Sequence, residues 1–107
     1  MKIVKENRIS GYRSDVVLKS KNGSTIKRFS STSGVDYAQA DQNCYKRLSW
    51  FCRRAISYFK KDISYLDEYD VKLLKLHKVT QQDLEKVLKK ISPALRQIQV
   101  KTETIEL

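Results

Sequence analysis

The side chains best suited to chemistry in this chain are the cations around its single tryptophan. No acidic residue interrupts the chain from Gln42 to Lys61, whereas an ordinary exposed helix mixes both signs. If this segment is helical, with a rotation of about 100° per residue, its polar side chains project to one side. They are Lys46, Arg47, Trp50, Arg53, Arg54, Ser57, Lys60 and Lys61. A basic face that carries an aromatic side chain indicates contact with a polyanion.

The chemistry of this face leaves three interpretations open. Its cations are suited to phosphate groups, to which arginine can donate two parallel hydrogen bonds, and the indole of Trp50 offers a stacking plane worth about 1–3 kcal/mol. The same face could instead dock on an acidic protein surface, because tryptophan and arginine are enriched at interface hot spots. It could also be a solvated helix face whose tryptophan is covered by neighbouring elements.

A second group of cations precedes this helix. Residues 12–19 alternate as in a strand, Asn22-Gly23 is typical of a type I′ turn, and residues 25–31 return. This turn predicts that Val16 pairs with Phe29, Val17 with Arg28, Leu18 with Lys27 and Lys19 with Ile26. The hairpin contributes the cations Arg13, Lys19, Lys21, Lys27 and Arg28. A β-ribbon can enter the major groove of DNA, and in architecture alone the arrangement is similar to arm-type DNA-binding domains of recombinases.

Positive charge is concentrated in the first part of the chain, which contains both groups of cations. Residues 1–61 hold 14 lysines and arginines against four acids, while residues 62–107 hold eight of each, so the first part carries the whole net charge of +10. Solubility alone does not require this asymmetry. We therefore expect nucleic acid, DNA or RNA, as the partner, with an acidic protein surface as the alternative. The candidate binding residues are Arg13, Lys19, Lys27, Arg28, Lys46, Arg47, Trp50, Arg53, Arg54, Lys60 and Lys61.

The residues that catalysis would need are scarce. His77 is the only histidine, so side chains cannot build a Cys–His cluster or a histidine metal cluster of useful size. Cys44 and Cys52 are eight residues apart, about 12 Å along a helix, which is too far for a disulfide. Asp70-Val71-Lys72 resembles the acid-x-Lys fragment of metal-dependent nucleases, but a tripeptide is weak support for such a site. We expect no enzymatic activity, no cofactor and no metal.

Residues 73–88 contain a second candidate DNA-binding motif, a helix-turn-helix. In residues 73–88, Val79, Leu84 and Val87 take the positions of its apolar anchors. Two positions disagree, since Leu74 replaces the small buried residue of the first helix and Lys78 replaces the turn glycine. Since residues 62–107 are also neutral overall, the segment is better interpreted as an ordinary helical pair.

The rest of the N-terminal sequence predicts the strand and the helix that position these cations. Residues 2–9 predict a short strand, and a polar connector leads to Ser33 or Asp36 as the N-cap of a helix that runs to about residue 61. One stripe of that helix is apolar and should form the core: Tyr37, Ala40, Cys44, Leu48, Phe51, Ala55 and Phe59.

The C-terminal half is less clearly patterned. Residues 62–70 fit a short helix or an ordered connection, and residues 71–76 fit a helix or a strand. Thr80 to Asp83 has capping-box spacing and opens a helix, which Ser92-Pro93 should kink or restart. Residues 97–107 alternate loosely and could add a final strand to the N-terminal sheet.

These elements predict a single α+β domain over residues 1–107. An N-terminal antiparallel sheet, built on the hairpin around Asn22-Gly23, packs on one long helix, and a C-terminal helical segment follows. No apolar run approaches the length of a membrane span, and the charged N-terminus is unlike a signal peptide. We therefore expect a cytoplasmic protein that makes no membrane contact, of undetermined oligomeric state.

Overall fold

The structure, a computed structural model, describes residues 1–9, 11–62 and 66–106, with side chains described as far as Leu95. Its strands are β1 (Lys2–Arg8), β2 (Arg13–Lys19) and β3 (Thr25–Thr32), and its helices are α1 (Tyr37–Phe59), α2 (Glu68–Leu76) and α3 (Gln81–Glu106). The strands form one antiparallel sheet in the order β1-β2-β3, and α1 packs against β2, β3 and α3. The predicted α+β architecture is confirmed, including the strand at the N-terminus.

Alternation along the strands separates a core face from an outer face of the sheet. Val16, Leu18 and Phe29 point to the same side, because side chains directly opposite each other in an antiparallel pair share a face. All three are buried in the core with the apolar stripe of α1. The rings of Phe29 and Phe51 lie 5.7 Å apart, so β3 and α1 meet through aromatic contact.

The hairpin register is confirmed over three pairs and wrong at the fourth. Val16, Val17 and Leu18 pair with the predicted residues, but Lys19 lies opposite Thr25 instead of Ile26. A β-bulge between Leu18 and Lys19 inserts Ile26 as an extra residue. Ile26 thereby joins the core, where it is 3% exposed. Burial of an apolar side chain explains why the bulge replaces a regular pair.

The predicted type I′ turn is also wrong. That turn needs positive φ at both central residues, whereas here Gly23 has φ +88° and Asn22 is not in the left-handed region. The Gly23 N–H donates to the Ser20 carbonyl, and the Ser20 N–H donates to the Ser24 carbonyl. The connection is thus longer than two residues, and glycine supplies its one left-handed position.

Helix α1 begins where the sequence places its cap. The Asp36 side chain accepts a hydrogen bond of 2.9 Å from the Gln39 N–H, so Asp36 rather than Ser33 is the N-cap. The predicted stripe is buried at Ala40, Cys44, Leu48, Phe51 and Ala55, with Tyr37 and Phe59 half-buried at its ends. The opposite side of the helix faces solvent.

The structure assigns a helix to the region whose sequence pattern was ambiguous. Residues 71–76 belong to α2, whose N-cap is Asp67, and the helix starts within the segment predicted as a helix or a connection. Residues 63–65 of that segment lie outside the described residues. The capping box at the start of α3 is confirmed, since Thr80 and Asp83 exchange hydrogen bonds of 3.0 and 3.1 Å.

The predicted restart of the helix at Ser92-Pro93 and the predicted final strand are wrong, while the alternative of a kink at Pro93 stays a prediction. Helix α3 continues through Pro93 to Glu106, and Leu107 lies outside the described residues. Pro93 has no backbone N–H, so it cannot donate the helical hydrogen bond to the carbonyl of Lys89, four residues earlier. Lys89 and Pro93 are both exposed, so water can satisfy that carbonyl instead. Extending an existing helix costs less chain entropy than closing a new loop back to the sheet.

No helix in the described part of the chain combines the length and the apolar character needed to cross a bilayer.

Candidate nucleic-acid interface

Trp50 stands on the solvent side of α1 and is 62% exposed. On a helix surface, each residue has its neighbours three and four positions away. For Trp50 all four neighbours are cations, and we call the five residues together the Trp50 ridge: Lys46, Arg47, Trp50, Arg53 and Arg54. The structure therefore brings together the predicted site residues of α1 around one exposed indole.

Two contacts hold the ridge in place. The guanidinium carbon of Arg54 lies 4.3 Å from the centroid of the Trp50 ring, a cation–π contact. Arg47 Nη1 donates a hydrogen bond of 2.8 Å to the carbonyl of Ser30 on β3. These contacts reduce the number of conformations available to the indole and to Arg47, so less entropy is lost when a ligand binds.

A groove lies on each side of the ridge. The α3 groove has a volume of about 400 Å³ and is lined by Gln42, Lys46, Arg47, Ser49, Trp50, Arg53 and Leu95. Among the side chains that the structure describes, no carboxylate lines it. The β3 groove, about 440 Å³, lies between β3, α1 and the start of α2. It contains Arg28, Arg47 and Arg54, but also Asp67 and Asp70, so its potential is less positive.

The charge of Lys27 is matched by a carboxylate of another element. Its Nζ lies 2.6 Å from Asp70 Oδ1 and 5.1 Å from the centroid of the Phe51 ring. This ion pair links β3 to α2. A phosphate at Lys27 would have to compete with Asp70 for the ammonium group. The role that the structure gives to Lys27 is therefore to stabilise the contact between β3 and α2.

Arg13 and Arg28 lie on the outer face of the sheet, where they converge on Asp15. Arg28 Nη1 is 3.0 Å from both Asp15 Oδ2 and Glu6 Oε2, and Arg13 Nε is 3.4 Å from Asp15 Oδ1. Arg8, which is not among the predicted site residues, adds a third guanidinium with Nε 3.2 Å from Asp15 Oδ2. Pairing the first strand with the hairpin would have found Arg8, since it lies opposite Arg13.

The Asp15 carboxylate is fully covered, with no exposed side-chain surface. A hydrogen bond with Ser30, aided by Arg13 and Arg8, holds the pKa of Asp15 below its ordinary value, although burial acts in the opposite direction. Asp15 stays ionised and fixes the guanidinium groups above it. The outer sheet face thus presents arginines in defined orientations.

The other predicted cations lie farther from the ridge. Lys60 is the C-cap of α1 and Lys61 follows with φ +58°, both exposed. Lys60 is ten residues from Trp50, about 15 Å along a helix axis. Lys19 is half-buried at the bulged end of β2. Arg28 is the link between the two surfaces, because it lies on the sheet and also borders the β3 groove with Arg47.

The helix-turn-helix segment has the predicted order of elements. The apolar anchors Val79, Leu84 and Val87 are buried, and Lys78 adopts φ +52° at the position where the motif has glycine. Leu74 is buried at 2% exposure where the motif has a small residue. A role of this segment in DNA binding stays a hypothesis.

The two cysteines and Asp70, the candidate groups for catalysis, are buried. Burial raises the pKa of the Cys52 thiol to about 12 and also raises that of Cys44, so both remain protonated near neutral pH. Asp70 is bound to Lys27, while Lys72 is exposed. Within the described residues, no group of three or more His, Cys, Asp or Glu side chains is arranged to hold a metal ion.

Compared with known proteins, the chain matches no family model, no curated protein and no solved structure.

Proposed function

We propose that the protein binds nucleic acid, with an affinity that is mostly electrostatic. The observation that carries the proposal is the Trp50 ridge, in which all four helix-surface neighbours of an exposed indole are cations. Phosphates would bind the cations of the ridge, and the indole would contact a base or a sugar.

The outer face of the sheet would provide further phosphate contacts. Arg13 and Arg28 are 43% and 39% exposed, so they can donate to a ligand while their ion pairs with Asp15 keep them oriented. A bound phosphate adds to this arrangement without breaking it, because a guanidinium carries five N–H donors. Lys19 extends the same surface, and Arg28 connects it with the ridge.

The alternative is a regulatory or inhibitory protein that docks on an acidic surface of a larger complex, as proteins of phages and mobile elements do. Trp50 and the arginines beside it would then be interface anchors. The two proposals differ in what accompanies the protein from its native lysate. Nucleic acid would raise the ratio of absorbance at 260 and 280 nm, and nuclease or high salt would remove it. One protein retained after nuclease treatment favours the alternative.

The salt dependence of binding tests the main proposal directly. If about six cations contact phosphates, the logarithm of the association constant should fall with the logarithm of salt concentration with a slope of roughly −5 for duplex DNA and −4 for a single strand. Fluorescence anisotropy of a labelled oligonucleotide, titrated at several salt concentrations, measures this slope. A flat dependence, or no binding to DNA or RNA at low salt, contradicts the proposal.

A further inference from the structure

The two sides of the Trp50 indole are not equivalent. Arg54 stacks on the ring and borders the β3 groove, but it does not line the α3 groove. On the α3 side the indole is flanked by Lys46 and Arg53. Trp50 is 62% exposed, has the Arg54 guanidinium against its ring, and also borders the α3 groove, which Arg54 does not line.

We propose that this site selects single-stranded nucleic acid, with one unpaired base stacked on the α3-groove side of Trp50. The inference rests on the proposed function and adds the class of nucleic acid and the position of the base. Bases in a duplex expose only their edges in the grooves, because their planes are stacked on each other. A base in a single strand has a free plane, and stacking on aromatic side chains is the main non-electrostatic contribution to single-strand binding.

The α3 groove has the size and lining that a base needs. Its volume of about 400 Å³ lies within the range of small-ligand pockets, roughly 300–1,000 Å³. Leu95 adds an apolar side chain to the lining of the groove, and Gln42 and Ser49 would provide polar atoms for the base edge. Gln42 and Ser49 are 9% and 4% exposed, so neighbouring residues restrict their positions.

The cations beside the groove suit the backbone of such a strand. Lys46 and Arg53 are seven residues apart, about 10 Å along the helix axis, with Trp50 between them. A strand that runs along α1 would place phosphates at both cations while its base turns toward the indole. The Arg54 guanidinium, on the other side of the ring, keeps the indole in position for this contact.

Trp50 makes the experiment direct, because it is the only tryptophan and its fluorescence reports on the site. We expect an oligothymidylate at low salt to quench the emission at saturation, and to bind about tenfold more tightly than a duplex with the same number of phosphates. A duplex should bind with little quenching. Equal affinities for the two forms with equal quenching would overturn the inference and leave the proposed function standing.

Substitutions separate stacking from charge. W50A should weaken binding of the oligothymidylate about tenfold to a hundredfold and change duplex binding less than twofold, while W50F should retain most of the affinity. Y69A removes another exposed aromatic, on α2, and should change neither affinity. Unchanged single-strand binding by W50A, with a native circular dichroism spectrum, would overturn the inference. Failure of the natural chain to bind any nucleic acid would overturn the proposed function as well.

Discussion

At the scale of single residues, Asp15 shows how a basic surface is organised by one buried acid. Its carboxylate has no exposed surface, and it accepts contacts of 3.0–3.4 Å from three arginines of the outer sheet face. Burying a charge is costly unless its partners satisfy it, and here they do. Asp15 thus contributes to stability and also aligns the guanidinium groups that we propose for phosphate binding.

Asp15→Asn should destabilise the fold by about 1–3 kcal/mol at pH 7, because charge-assisted hydrogen bonds are lost. Since the pKa of Asp15 is depressed in the folded state, its contribution is present above the ordinary carboxyl pKa, near 4, and disappears as the pH falls through the depressed value. Urea unfolding at neutral and at acidic pH measures the contribution of Asp15 to the free energy of unfolding. The free energies of unfolding of the natural chain and the variant should converge in acid.

Asp62→Asn serves as the matched control, because Asp62 is exposed. This variant should match the natural chain at both pH values. An Asp15→Asn variant that is equally destabilised in acid and at pH 7 would show that the carboxylate charge is not the cause.

At the scale of elements, α1 serves two purposes with its two sides. Its buried stripe contacts the sheet and α3, while its solvent side carries the Trp50 ridge. Because the apolar stripe fixes the rotation of the helix, the ridge must point outward. The ion pair of Lys27 with Asp70 and the bond from Arg47 to Ser30 connect β3 to α2 and to α1, and so shape the β3 groove.

Removing two exposed cations from the ridge should weaken nucleic-acid binding without harming the fold. For Lys46→Ala combined with Arg53→Ala, we expect the salt slope to become less steep by about 2 with a duplex, since each phosphate contact contributes about 0.9. Anisotropy titrations measure the slope. Both residues are exposed, so the thermal midpoint should change little.

The control removes the same charge from other helices. Lys72→Ala combined with Lys89→Ala takes two exposed cations from α2 and α3, and it should leave the slope unchanged. If both double variants reduce the slope equally, net charge rather than the ridge determines binding.

At the scale of the whole molecule, the first and second parts of the chain share one hydrophobic core but differ in net charge. Residues 1–61, which include the sheet and α1, carry the net charge of +10, and the neutral C-terminal part supplies Leu74, Val79, Leu84, Val87 and Ile91 to the core that supports them. Cys44 and Cys52 lie within that shared core and have no exposed surface. Their thiols therefore report on the opening of the molecule.

We expect both thiols to resist labelling by a thiol-specific reagent at pH 8 and to react rapidly in urea. Burial raises the pKa of Cys52 to about 12, while an unfolded cysteine has a pKa of about 8.5. A pKa raised by folding means that stability is fully present below about pH 8.5 and declines as the pH rises beyond it. Labelling rates across urea concentrations at pH 8 test the protection of the thiols, and rapid labelling of the native chain would contradict it. The same series repeated above pH 8.5 tests the loss of stability, and an unchanged urea midpoint there would contradict that expectation.

Local sequence signals predicted a large part of this fold. Alternation located the strands, the spacing of apolar residues located α1 and its buried side, and Asp36, Thr80 and Asp83 marked helix starts. These features depend on residues a few positions apart, so they can be derived without knowledge of distant contacts. The same local periodicity placed Trp50 among cations.

Other features were decided only when distant segments met. The bulge that turns Ile26 inward depends on the core, and the continuation of α3 through Pro93 depends on solvent exposure at Lys89. Arg8 reached Asp15 through strand pairing, and Lys27 was neutralised by an acid 43 residues away. The sequence by itself determined which side of α1 is basic. The tertiary structure decided which cations remain available there, because ion pairing and groove shape depend on contacts between elements far apart in the chain.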